Sequence, residues 1–273
     1  MEYGIFSKVY IDYEFEIALH KIKAQGLNTI QFNFANVGLS SLPKEINEDL
    51  ISKIREATIN SGVDIAVISG TFNMLELNQD KKKENLNCFA TVVEAAKALS
   101  VPYVSISTGS FNQRDFWSPH PDNHTEQAWE VLQHTLAAML DIAAANEVTI
   151  LFEPEQANVV STTEDSLRLL NYFDTPYLKV LFDAANIVTT MDVNDTLGKI
   201  KRTLSELKDY IALAHCKDCV VTEGEVTFAP VGKGNLPLKE YLLELSKYYK
   251  GPIIMHGLDE EDVPFAVSYL NGK

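Results

Sequence analysis

The sequence predicts a single-domain α/β protein, a (β/α)8 barrel spanning residues 1–273. Three observations predict it. Short apolar, β-rich runs alternate with stretches whose apolar residues recur at helical spacing. Eight such runs fall within roughly 250 residues, the length such a barrel occupies. The runs are nearly continuous in apolar residues, as parallel strands covered on both faces require. No G-x-G-x-x-G follows the first run, which argues against a doubly wound open sheet.

Taken in order, "YGIFSKV" (3–9) reads as the first strand and "FEIALHKIKAQ" as its helix. "NTIQFN" (28–33) and "DIAVIS" (64–69) follow as strands, the latter leading to the helical "ENLNCFATVVEAAKAL". The fourth run, "YVSIS" (103–107), precedes the longest insertion, "STGSFNQRDFWSPHPDNHT". That insertion is polar and aromatic with two prolines, so it is expected to form a loop over the barrel mouth. The helical "AWEVLQHTLAAMLDIAAAN" comes next, then "VTILFE" (148–153), "TEDSLRLLNYF", "LKVLFD" (178–183), "YIALAH" (210–215), "LKEYLLELSKYY" and "PIIMH" (252–256).

Composition restricts the partners. The chain carries 23 Lys and Arg against 38 Asp and Glu, a formal charge of -15, and its only basic cluster is "KKK" at 81–83. A polyanion is repelled by such a surface, so no nucleic acid partner is expected. The N-terminus lacks the basic head and apolar stretch of a signal peptide, and no segment approaches the ~20 apolar residues that span a bilayer. A cytoplasmic protein without a membrane partner is expected. Three cysteines, Cys88, Cys216 and Cys219, do not make a disulfide framework in a chain this long.

Barrel enzymes place their catalytic groups at the C-terminal ends of strands. Here the fifth to eighth runs end in Glu153, Asp183, His215 and His256, separated by 30, 32 and 41 residues, one βα unit each. A single acidic residue after a strand is often a helix cap, and a single histidine is often an ordinary buried polar group. Four such residues at successive strand ends converge on one rim. Two carboxylates and two imidazoles suit one divalent ion, with Mn, Zn, Co or Fe favoured over Ca and Mg allowed.

The hexapeptide "AHCKDC" (214–219) holds a C-x-x-C spacing, but Cys219 leads into "VVTEGEVTF", which has no helical period to lower a thiol pKa. No second cysteine or histidine pair follows to complete a zinc knuckle. The cysteine spacing therefore reads as incidental. Side chains alternate along a strand, so His215 and Lys217 share a face and Cys216 points to the helical layer. Lys217 is expected to meet a substrate oxygen, and Asp218 to partner the imidazole. Asn73, Thr108, Arg114, Trp117, His120, Glu155 and Asn186 fall at the same rim or in the long loop, and together they give a pocket the polarity a polyol needs.

These pieces resemble the sugar phosphate isomerase/epimerase family, the xylose isomerase-like or AP endonuclease type 2 TIM barrel superfamily. The likeness rests on "SGTFNM", "STGS" with "FWSPHPDN", "LFEPE", "LFDAAN", "ALAHCKD", the "GKG" at 232–234 and "GPIIMHGLDEEDVP", in this order over nearly the whole chain. It implies that Glu153, Asp183, His215 and the end of the eighth strand bind one divalent metal. Two departures stand out: Asn186 replaces a histidine, and His256 replaces a glutamate that serves such epimerases as an acid/base.

The function expected is a metal-dependent sugar or sugar-phosphate isomerase or epimerase working by proton transfer through an enediolate. Glu153 would remove the carbon-bound proton, and Lys217 or His256 would return it. An inosose-type dehydratase and a non-catalytic sugar-binding barrel are the alternatives. An endonuclease is disfavoured by the charge and by only six histidines. The partner expected is a small-molecule sugar or sugar phosphate, with homo-oligomer formation left open.

Overall fold

The computed structural model describes residues 1–272. Eight parallel strands close into a barrel: β1 (Tyr3–Phe6), β2 (Thr29–Phe32), β3 (Asp64–Ser69), β4 (Tyr103–Ser107), β5 (Thr149–Glu153), β6 (Leu178–Asp183), β7 (Ile211–Cys216) and β10 (Ile253–Met255). All eight apolar runs of the sequence supply one barrel strand each. Between β7 and β10 lies an antiparallel hairpin, β8 (Asp218–Val221) and β9 (Val226–Ala229), which the sequence pattern did not reveal. The outer layer comprises α1 (Phe15–Ala24), α2 (Glu48–Ser61), α3 (Gln79–Ala98), α4 (Glu126–Asn146), α5 (Thr163–Phe173), α6 (Ala184–Ile187), α7 (Thr196–Leu207), α8 (Leu238–Leu245) and α9 (Val263–Leu270). Among the described residues, no helix is long and apolar enough to cross a membrane.

Strand alternation sorts the core into two regions. Val67, Leu151, Leu181, Leu213 and Ile254 form a separate buried cluster, while Phe152, Phe182, Ala214 and Met255, one residue along, belong to the large cluster shared with the helices. The small cluster is therefore the barrel interior, filled by side chains as barrels of this size require. Two residues further along the same strands lie positions 153, 183, 215 and 256. The apolar plug thus sets the floor on which the polar groups stand. At Gly4 a side chain has no room, because a Cβ would come within 2.5 Å of the Thr29 carbonyl oxygen and 2.7 Å of the Ile254 side chain.

Cys216 and Cys219 are fully buried in the outer core, and burial pushes the Cys219 thiol up to about 12. Neither is poised for redox chemistry. Both thiols, with buried Cys88, are expected to resist a thiol reagent in the native protein and to react on unfolding, which a colorimetric thiol count checks.

The long insertion is pinned over the mouth. Asn123 accepts from the Phe111 N–H at 2.8 Å and donates to the Ala157 carbonyl at 2.8 Å, while Asn158 donates to the Phe116 carbonyl at 3.1 Å. These bonds hold Phe116 and Trp117 against the segment that follows β5.

Candidate metal and substrate site

Glu153 ends β5, Asp183 ends β6 and His215 lies on β7 directly opposite Asp183. Same-face parity and strand register bring one donor atom of each within 4.8 Å of the others. His215 Nδ1 lies 3.2 Å from Glu153 Oε1 and 3.8 Å from Asp183 Oδ2. On its far side, Nε2 meets Gln31 Oε1 at 2.7 Å, and the Gln31 amide donates to Ser69 Oγ at 3.0 Å. That second bond orients the carboxamide so that its oxygen accepts the Nε2 proton. Nδ1 is left facing the carboxylates.

Asp183 Oδ1 accepts from the Ala185 N–H at 2.9 Å, and the buried Oδ2 has no partner closer than the Lys217 ammonium at 3.2 Å. A buried carboxylate oxygen met by an ammonium alone, beside a second carboxylate and an imidazole nitrogen, is a donor set that fits a divalent ion. Lys217 supplies the nearest protein cation. Its Nζ donates to Asn186 Oδ1 at 2.9 Å and lies 3.2 Å from Asp183 Oδ2 and 3.8 Å from Glu153 Oε1. Asn186 in turn donates to Glu153 Oε1 at 2.7 Å.

The charges divide two neighbouring carboxyls. Burial acts to raise Glu153, but the charges of His215 and Lys217 outweigh it and hold this carboxyl at about 2. For Glu155, burial and the nearby Glu153 charge act together and push it up to about 8. Burial opposes the Lys217 charge, yet Asp183, Glu153 and Glu155 raise its pKa. Burial drives His256 well below an ordinary imidazole, aided by the charges of Lys217 and His215.

Above the floor opens a cavity of about 620 Å3 lined by Glu153, Glu155, Lys217 and His256, with Phe116, Trp117 and Phe228 at its mouth. Trp117 and Phe228 are 50% and 60% exposed, so large apolar faces stand free at the entrance.

A profile describing a xylose isomerase-like TIM barrel matches residues 19–266. The chain belongs to that family. Among solved structures, it resembles a 3-keto-D-glucoside 4-epimerase from E. coli (TM-score 0.76, 13% identity, 100% of each chain covered). It also resembles a D-psicose 3-epimerase determined in the presence of D-fructose (TM-score 0.74, 14% identity, 100% of this chain and 98% of that one). A third likeness is to the IOLI protein with a bound zinc atom (TM-score 0.70, 14% identity, 100% and 96%). At such identities these likenesses speak for the fold. A comparison with curated proteins returned no match.

Within this family barrel, the residues singled out from the sequence separate into three groups. Glu153, Asp183, His215, Lys217 and Asn186 stand together, and Glu155, Trp117 and His256 join them around the cavity. The others lie apart. Asn73 spends its side chain on the Ser110 N–H and carbonyl, and Thr108, fully buried, accepts from the Val160 N–H. Arg114 and His120 do not line the cavity; His120 Nδ1 caps its own turn by accepting from the Asp122 N–H. Asp218 binds backbone N–H groups of the turn after β9 and leaves the imidazole to Gln31. Sequence reasoning missed Gln31, flanked by Ile30 and Phe32 within the second run, and Phe228, whose hairpin gave no signal.

His256, expected as a fourth ligand, is not in the three-residue cluster. Its ring stacks between Phe6 and His215, with centroids 5.0 Å away on either side and interplanar angles of 17° and 14°. A face laid on His215 does not aim a nitrogen at the point His215 Nδ1 faces. His256→Gln is accordingly expected to leave metal stoichiometry unchanged, as elemental analysis of the purified variant checks; loss of the ion would restore it as a ligand.

Proposed function

We propose that the protein is a divalent-metal-dependent isomerase or epimerase of a polyhydroxy ketone, acting by proton transfer at the carbon beside the carbonyl. The observation that carries this reading is geometric: Glu153 and Glu155 open on one cavity next to Asp183 and His215, and in the metal-free chain their surroundings hold the first at about 2 and push the second up to about 8. At neutral pH one is ionised and the other protonated, which is the division of labour a base and an acid need.

Glu153, Asp183 and His215 would hold the ion, which when bound supplies Lewis-acid polarisation of a carbonyl and its neighbouring hydroxyl. The chain's own groups do the rest. Glu153 is the ionised base that takes the carbon-bound proton, its Oε1 held by the Asn186 amide. Glu155 carries the proton that is returned, a role the sequence left to Lys217 or His256. The ammonium of Lys217, steadied by Asn186, stands where a developing oxyanion needs a positive charge. Trp117, Phe116 and Phe228 restrict water at the mouth.

Incubating a panel of ketoses with the metal-loaded protein and reading the products by NMR tests the proposal. A new isomer or epimer is the expected result, and a product lighter by one water would assign a dehydratase. No product from any ketose would leave a sugar-binding barrel.

Glu155 also predicts a pH dependence. Its protonated form is the working one, so turnover is expected to fall on the alkaline side, and Glu155→Gln should lose that limb. Stability follows the same sign in metal-free protein. The folded state holds the proton more tightly than the unfolded chain, so this contribution is full below the ordinary 4.5 and is lost as pH rises to about 8.

A further inference from the structure

Many (β/α)8 barrels bind substrate phosphate in the loops after their last two strands, where backbone N–H groups of a glycine-rich turn and a helix N-terminus face the anion. Both corners exist in this chain, and both are filled from within. In the turn after β9, the N–H groups of Gly232 and Gly234 donate to Asp218 Oδ2 at 3.0 and 2.9 Å. Those of Cys219 and Leu236 donate to Oδ1 at 2.8 and 3.3 Å. Asp218 is 1% exposed, and a Cβ on Gly234 would come within 2.2 Å of its carboxylate. The turn is therefore wrapped around an anion that belongs to the protein.

The second corner follows β10. There Asp259 and Asp262 bind each other's backbone N–H groups ahead of α9, and the intervening positions are Glu260 and Glu261. Lys233, the cation of the glycine turn, is paired with Asp262. Lys217 is engaged by Asp183 and Asn186, which leaves the exposed Lys8 as the other lysine on the cavity wall. A phosphate dianion entering here would find the N–H groups of the first corner held by Asp218 and the N–H groups of Asp259 and Asp262 in the second held by each other's carboxylates.

The cavity wall that remains is suited to hydroxyls. Ser69, Ser105 and Ser107 line it, and Ser107 Oγ is buried without a hydrogen-bond partner. We infer that the site takes an unphosphorylated polyhydroxy ketone, its hydroxyls met by this serine wall and its apolar face by Trp117 and Phe228. The inference rests on the isomerase or epimerase reading, and it narrows the sugar or sugar phosphate expected from the sequence.

Calorimetric titration of the metal-loaded protein with D-ketohexoses, their phosphate monoesters and inorganic phosphate tests it. A ketose that binds is expected to do so at least about tenfold more tightly than its phosphate ester, a difference of about 1.4 kcal/mol. Inorganic phosphate is expected to show no saturable binding. An ester that binds tighter than its parent ketose, or saturable phosphate binding lost in Lys8→Ala, would overturn the inference. If no ketose of either kind binds, this inference fails; a free ketose that binds tighter than its ester but is not turned over upholds it and fails the functional reading alone.

Discussion

Replacing Glu153 with glutamine is expected to slow proton exchange at the substrate carbon by about 10²- to 10⁴-fold, the scale of a lost general base. The change keeps the shape of the side chain and the Oε1 acceptor that Asn186 uses, and it removes the charge that His215 and Lys217 hold ionised. Metal content measured on the same variant separates the two jobs of this carboxylate. Exchange lost with the ion retained marks the base, whereas both lost together mark the ligand. Exchange at the wild-type rate would remove Glu153 from the chemistry.

The second large effect belongs to Lys217. In protein stripped with chelator, its permanently charged ammonium lies 3.2 Å from the buried Asp183 carboxylate and 3.8 Å from that of Glu153. Lys217→Met leaves those charges uncompensated, and breaking a buried pair from one side costs about 3 to 5 kcal/mol. A drop in melting temperature of several degrees follows for a chain of this size, on the order of 2–4 °C per kcal/mol. A divalent ion added to the variant is expected to restore most of the loss, because it supplies the missing charge and binds only the folded chain. The variant should also bind the ion more tightly than wild type, since no ammonium competes for Asp183 Oδ2. Unchanged melting in chelator with unchanged metal affinity would show that Lys217 does not balance these carboxylates.

The barrel was legible in the sequence because its strands are buried on both faces, which leaves nearly continuous apolar runs such as the "IAVI" of "DIAVIS". The hairpin was not, since the segment Val226–Ala229 is only partly buried and carries no run of that kind. The positions of Glu153, Asp183 and His215 could be read from strand ends, because parity above the apolar plug fixes which side chains turn inward. Loop residues gave no such guide. Asn73 finds its partner at Ser110 and Thr108 at Val160, long-range pairings that no local spacing encodes. Nor does spacing encode a ring stack, which is why His256 looked like a second His215 in the sequence and lies flat against it in the fold.

The central claim is that Glu153, Asp183 and His215 form one metal centre at which a carbon-bound proton is exchanged. Solvent deuterium incorporation tests it most directly: ketoses are incubated in D2O with metal-loaded protein, with chelated protein and with the Glu153→Gln variant, and the labelled carbon is located by NMR. One deuterium is expected at a carbon adjacent to the carbonyl with the loaded wild type, and exchange is expected to fall to near background with chelator and in the variant. Undiminished exchange in the chelated protein or in Glu153→Gln, or no exchange from any ketose with the loaded wild type, would contradict it.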